Sequence, residues 1–180
     1  IAPHPDDEVL GAGGIMTRFS QAGGEVIVLT VAAHMPPLFP KSVHDQTIAE
    51  AKKAHSLMEV NESIFLNKPA VSIGDEDTAT INNEILSVIK KTNPDIVLIP
   101  YFDRHIDHRV IFDGSVVASR PVKQNFPKIV LMYETLSETH WNVGGAENVF
   151  YPDFFVDVSK EINKKIDAVN CYQSQIKNNS

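Results

Sequence analysis

Two short clusters carry side chains whose types and spacing suit joint chemistry. The first is His4-Pro5-Asp6-Asp7-Glu8, directly behind Ile1-Ala2-Pro3. The second is Asp103-Arg104-His105-Ile106-Asp107-His108-Arg109, just after the apolar run Asp95 to Pro100. His4 and Asp7 stand three apart across a turn, so both side chains can converge on one ion. His108 supplies a third ligand from a neighbouring strand end. Two imidazoles and one carboxylate leave a fourth position open, the pattern of catalytic rather than structural zinc. Asp6, adjacent to Asp7, must point elsewhere, towards a ligand of the ion. Zinc lowers the pKa of a bound water to about 7, and Asp6 is placed to accept its proton as general base.

His105, three residues before His108, faces the same cavity on this reading. Protonated, it would stabilise an oxyanion or protonate a leaving nitrogen. Asp107 suits an outer position, holding an imidazole in its tautomer. A nucleophile source, a base, an electrophile and an acid suffice for amide hydrolysis. The residues thus predict a metal-dependent hydrolase with one Zn2+ per chain, and Fe2+ would suit the same three ligands.

The elements that must position these clusters alternate regularly. Glu8 to Ala22 reads as a helix with Leu10, Ile15, Met16 and Phe19 apolar, stopped by Gly23-Gly24. Gly11, Gly13 and Gly14 lie inside it, and their expected use is close packing against a sheet. Val26 to Val31 is a nearly continuous β-branched run, as expected for a strand buried on both faces. Ala32 to Asp45, with Pro36, Pro37 and Pro40, reads as a loop. Further helices are expected over 46–58, 78–92 and 106–119, and strands over 63–66, 95–100 and 128–133. Glu134 to Asn148 reads as irregular and Phe154 to Val158 as a last short strand. Ser159 is expected to cap a helix running to about Ile176. This order predicts an α/β fold: a Rossmann-like open parallel sheet with helices on both faces, forming a single domain over residues 1–180. The site then falls at the carboxyl ends of the first and fourth strands, where such folds place their chemistry.

Composition narrows the partners. The chain has 180 residues, 43% hydrophobic and 22% charged, which suits one domain. A net charge of −7 argues against nucleic acid, whose binding rests on neutralising phosphates. No basic block suggests a membrane surface, and no apolar run approaches the ~18 residues of a membrane span. With one cysteine, Cys171, there is neither an intrachain disulfide nor a cysteine-type zinc cage. A cytoplasmic setting is expected. The sequence starts at Ile1, without methionine, and reads as trimmed inside its first strand, so a removed signal peptide stays compatible with it. Oligomeric state is not legible.

The paired motifs resemble a known family. His4-Pro5-Asp6-Asp7-Glu8 with Gly11-Ala12-Gly13-Gly14, then His105-Ile106-Asp107-His108-Arg109, look like the LmbE/PIG-L family of zinc-dependent N-deacetylases. The resemblance extends to Tyr133-Glu134-Thr135 and Tyr172-Gln173-Ser174-Gln175. It implies removal of an acetyl group from an N-acetylated amino sugar or its conjugate, a small-molecule substrate. It also implies zinc on His4, Asp7 and His108, with Asp6 as base and His105 assisting the intermediate. Three departures bear on substrate. Thr47 stands near the start of the second helix, where many members carry a sugar-contacting arginine. Asp103 stands where some have tyrosine. Members usually continue some tens of residues past the Tyr-Gln-Ser-Gln segment, and a tail holding part of the cleft is expected beyond Ser180.

Other residues admit plainer roles. Glu8, in the first helical turn, favours the helix dipole and is also placed to orient His4 or His108. Arg109 is expected to pair with Asp107 or Asp113, or to contact substrate. Tyr133, Glu134, Glu138 and Trp141 follow the fifth strand and are placed to line a sugar site, with Trp141 able to stack on a pyranose. His34, His44, His55 and His140 read as loop or surface histidines, and Cys171 as a small buried hydrophobe. Three rival functions share some of these features. A phosphoesterase commonly needs two metals about 4 Å apart. A non-haem Fe(II) oxygenase uses the same triad on an all-β scaffold. A nucleotide-binding module needs a glycine motif at the helix entrance, which Gly11-Ala12-Gly13-Gly14 does not supply.

Overall fold

The computed structural model describes residues 1–122, 126–139, 141 and 149–176. Four apolar runs pair as parallel strands: β1 (Ile27–Ala33) with β2 (Glu62–Pro69), and β3 (Ile96–Pro100) with β4 (Ile129–Tyr133). Residues 1–3 join these pairs. Ala2 forms a parallel bridge to Thr30, with its N–H donating to Leu29 O at 2.7 Å and its carbonyl accepting from Val31 at 3.0 Å. On the other side the Ile1 nitrogen donates to Leu98 O at 2.8 Å. The spatial order is therefore β2, β1, residues 1–3, β3, β4. Chain order reverses between residues 1–3 and β3. Open α/β sheets bind ligands in the crevice beyond the carboxyl ends of their strands at such a reversal, and the two charged clusters follow those two ends.

Alternation along β1 separates two core layers. Val28 packs with Val9, Ala51, Met58 and Tyr172 in one; Leu29 and Val31 pack with Ile81, Ile85 and Ile111 in the other. A register shift between Thr30 and Ala32 puts Ala32 on the second side as well. The first layer is covered by α1 (Asp7–Gln21), α2 (Lys41–Leu57) and α6 (Ile162–Val169), the second by α3 (Thr78–Thr92) and α4 (Ile106–Ala118). The predicted parallel α/β architecture with helices on both faces is the one observed.

Four local expectations differ, the first being that Leu136–Thr139, within the segment read as irregular, forms a helical turn, α5. Helix α2 begins at Lys41, directly after Pro40, so the proline-rich loop is shorter than its composition suggested. Residues 154–158 form no strand; Phe154 and Phe155 are exposed, and Val158 lies against α1 instead. The helix expected from Ser159 starts at Ile162 and ends at Val169, with a separate turn α7 (Gln173–Ile176). Ser159 bonds Asp157 with its hydroxyl (2.6 Å). The break places Tyr172 inward, where its hydroxyl donates to Glu8 at 2.6 Å. The glycines of α1 also divide their work. A Cβ on Gly11 would sit 2.0 Å from the Tyr133 ring, at the sheet, while one on Gly14 would meet Val158 and one on Gly13 would meet Lys165.

Candidate metal centre

Helix α1 starts at Asp7, one residue beyond Asp6, whose backbone takes a φ of 125°. The Asp6 carbonyl accepts from Val9 and Leu10, fixing the first turn. This tight entry turns Asp7 back over His4: Asp7 Oδ2 accepts the His4 amide at 2.9 Å and lies 3.2 Å from His4 Nδ1. The same oxygen lies 3.2 Å from His108 Nε2. His108 arrives from the first turn of α4, whose N-cap, His105, accepts the Asp107 amide on Nδ1.

Each of the two imidazoles facing Asp7 is backed by a carboxylate on its far nitrogen. His4 Nε2 bonds Asp107 Oδ2 at 2.8 Å, and His108 Nδ1 bonds Asp103 Oδ2 at 2.7 Å. Both carboxylates are anchored in turn. Asp107 Oδ2 also accepts the Val71 amide at 2.7 Å, and Asp103 Oδ1 accepts the His105 amide at 2.9 Å. Asp7, Asp103, Asp107 and His108 are all buried. His105 sits edge-on to His4, ring centres 4.5 Å apart, and His34 stacks parallel to His4 at 6.1 Å.

The electrostatics follow from this packing. Burial disfavours the charge on His4, yet the bonds to Asp107 and Asp7 outweigh it and raise His4 to about 9. Burial likewise opposes the charge on His108, and Asp7 and Asp103 raise it to about 10. Asp7 is held far below the usual carboxylate range: burial opposes its charge, but the two imidazoles prevail. Asp6 moves the other way, pushed well up by burial and then by the Asp7 and Glu8 charges. Burial lowers His105, and the His4 and His108 charges add to the effect.

The donor set fits a small divalent cation. Bonds of about 2.0–2.1 Å in a tetrahedron require ligand atoms about 3.3 Å apart, and Asp7 Oδ2 stands 3.2 Å from both ring nitrogens. His108 Nε2 is buried and makes no well-directed hydrogen bond, facing only Asp7 Oδ2, as suits an atom that gives up its proton to bind an ion. His4, His105 and His108 also bring ring nitrogens within 4.8 Å of one another, an alternative donor group.

Residues 1–119 match the family model described as "PIG-L: GlcNAc-PI de-N-acetylase". The chain belongs to the PIG-L family. Among its relatives, diacetylchitobiose deacetylase of Thermococcus kodakarensis is 29% identical over 188 residues, covering 97% of this chain and 68% of that protein. A deacetylase of 1D-myo-inositol 2-acetamido-2-deoxy-alpha-D-glucopyranoside from Kineococcus radiotolerans is 31% identical over 78 residues, 38% of this chain and 22% of that one. In fold the chain is similar to a conserved protein of Thermus thermophilus, with a TM-score of 0.76, 23% identity and coverage of 96% of this chain and 76% of that one.

Within this PIG-L domain the structure gathers His4, Asp6, Asp7, His105, Asp107 and His108 at one crevice. Arg109 Nε donates to the Asp103 carbonyl at 2.6 Å. Other expectations need correcting. Glu8 reaches neither His4 nor His108; it bonds His55, Tyr172 and the Asp6 amide. His55 is no surface residue but 2% exposed on the inner face of α2. Its spacing of four from Ala51 and eight from Thr47 was the available signal. Asp103 heads the second cluster, yet no local pattern marks it as the partner of His108. Glu134 is partly buried and Trp141 is 69% exposed. His140 lies outside the described residues.

Proposed function

We propose that this chain hydrolyses the N-acetyl amide of an N-acetylated amino sugar or its conjugate, with zinc held by His4, Asp7 and His108. One observation carries the ligand set: Asp7 Oδ2 lies 3.2 Å from both His4 Nδ1 and His108 Nε2, and the latter is buried with no well-directed hydrogen bond. The alternative with His105 in place of Asp7 is weaker. His105 Nδ1 is already engaged by the Asp107 amide, and a carboxylate in the set balances part of the ion's charge. Relatives acting on acetylated amino sugars favour the substrate class.

A divalent ion there supplies Lewis acidity, acidifying water and polarising an acyl oxygen. The remaining chemistry belongs to the chain. Asp6 takes the proton of the attacking water, and burial, with the Asp7 and Glu8 charges beside it, raises its affinity for that proton. His105 accepts a hydrogen bond on Nδ1, so a neutral ring carries its proton on Nε2. That N–H is available to the carbonyl oxygen as negative charge develops there. Asp107 and Asp103 keep the two facing imidazoles in fixed tautomers. The water oxygen adds to the acyl carbon as Asp6 takes its proton, the C–N bond breaks, acetate leaves, and Asp6 returns that proton to the nitrogen, which departs as an amine.

The test is acetate release from a panel of N-acetylated amino sugars by zinc-loaded and chelator-treated protein. Release abolished by chelation and restored by zinc supports the reading. Zinc bound at one per chain with no release from any sugar overturns the substrate class.

A further inference from the structure

Behind the crevice lies a second buried polar group of residues. Glu8, His55 and Tyr172 are at most 3% exposed. Glu8 Oε1 accepts from the Tyr172 hydroxyl at 2.6 Å and lies 3.0 Å from His55 Nε2. His55 Nδ1 lies 2.7 Å from Ser63 Oγ, so the consistent arrangement has Nε2–H donating to Glu8 and Nδ1 accepting from the serine. The other carboxylate oxygen, Oε2, accepts the backbone N–H of Asp6 at 3.2 Å.

That amide belongs to the residue at φ 125°, a conformation that a side-chain-bearing residue keeps only when its surroundings impose it. The Asp6 carbonyl is fixed by the first turn of α1; Glu8 fixes its amide. We propose that Glu8, braced by His55 from α2 and Tyr172 from beyond α6, is a positioning residue that holds Asp6 in its left-handed conformation and so aims the Asp6 carboxyl into the crevice. The chemical consequence rests on Asp6 being the base, as read above. The network bonds none of the zinc-ligand side chains and acts on the Asp6 amide, next to Asp7, whose carboxylate is held separately by the His4 amide at 2.9 Å. It also ties proton transfer to a segment 164 residues away in sequence.

Glu8→Ala removes the acceptor, while Glu8→Gln keeps one carbonyl oxygen for the Asp6 amide. A misaimed group costs about a hundredfold, so Glu8→Ala is expected to lower kcat by about that factor with KM within about twofold and zinc content unchanged. Glu8→Gln is expected to recover most of the loss. In an Asp6→Asn background Glu8→Ala should add less than about threefold, because the group it aims is already gone. A rise in KM at constant kcat, or full additivity with Asp6→Asn, overturns the proposal. If Glu8→Ala fails to fold, Tyr172→Phe is measured in the same way, with about a tenfold fall in kcat expected. A crystal structure of the soluble variant reads the Asp6 backbone directly. Asp6 leaving positive φ supports the positioning role, and Asp6 unchanged there overturns it, whatever Asp6 does chemically. Wild-type turnover by Asp6→Asn alone would instead overturn the assignment of the base.

Discussion

Asp103→Asn alters a single atom beside His108 and should cost the protein most of its hold on zinc. In the native site the two carboxylate oxygens serve two donors: Oδ1 takes the His105 amide at 2.9 Å, and Oδ2 faces His108 Nδ1 at 2.7 Å. An amide has one acceptor and cannot serve both. If its carbonyl faces His105, the NH2 meets His108 Nδ1 and drives the imidazole to the tautomer with a proton on Nε2, the atom needed for metal. If the amide flips, the His105 N–H meets an NH2 and is left unsatisfied. Leaving one buried donor without a partner costs about 1–3 kcal/mol, which converts to about 5- to 150-fold in zinc affinity. Competition against a chromogenic chelator measures that ratio, and circular dichroism verifies that the fold persists. Zinc affinity within about twofold of the parent protein would refute the reasoning, because it would mean that His108 needs no orienting carboxylate.

Three further outcomes are expected. Asp6→Asn should lower kcat by about 10²–10⁴ with zinc still bound at the parent stoichiometry; loss of the metal, read by elemental analysis, would make Asp6 a ligand. In the metal-free protein His4 and His108 are raised to about 9 and about 10, so both hold protons at pH 7, and zinc must displace them. Their charged forms stabilise the metal-free fold below the ordinary imidazole value, and that stability is lost as pH rises through about 9–10. Calorimetry in buffers of different ionisation enthalpy should register release of about two protons per zinc and tighter binding as pH rises; no release would contradict the pairing. Gly11→Ala would place a methyl 2.0 Å from Tyr133 Cδ2. The overpacking costs about 1–3 kcal/mol against a helix gain of about 0.5–1 kcal/mol, so urea unfolding should shift to a lower midpoint; an unchanged midpoint would refute that packing.

What the sequence disclosed depended on how locally each feature is determined. The residues gathered at the crevice were readable because strand ends deliver short His/Asp clusters to one edge, and α3 was readable because Ile81, Ile85 and Ile89 keep strict helical spacing. Residues 154–158 have the composition of a strand, but a strand also needs an open edge to pair with, and composition does not report one. His55 and Asp103 escaped for a related reason. A histidine on a helix and an aspartate in a loop look like surface residues until their partners are known. The partner of His55 lies 47 residues away, and that of Asp103 lies across a turn whose geometry sets the contact. The helix break at residues 170–172 was likewise invisible, since it serves a bond made to Glu8 rather than any local stop signal.

The place of residues 1–3 in the sheet has a consequence for folding. They are the only rung joining the pair formed by β1 and β2 to the pair formed by β3 and β4 among the described strands, and Ile1 finds its partner 97 residues along the chain. Closing so long a loop is a late and slow event. His4 meets Asp107 across the same seam, 103 residues apart. Zinc would therefore clasp the two halves of the sheet at their last-made junction. The holoprotein should come apart more slowly than the metal-free form because the ion must be released before the seam can open.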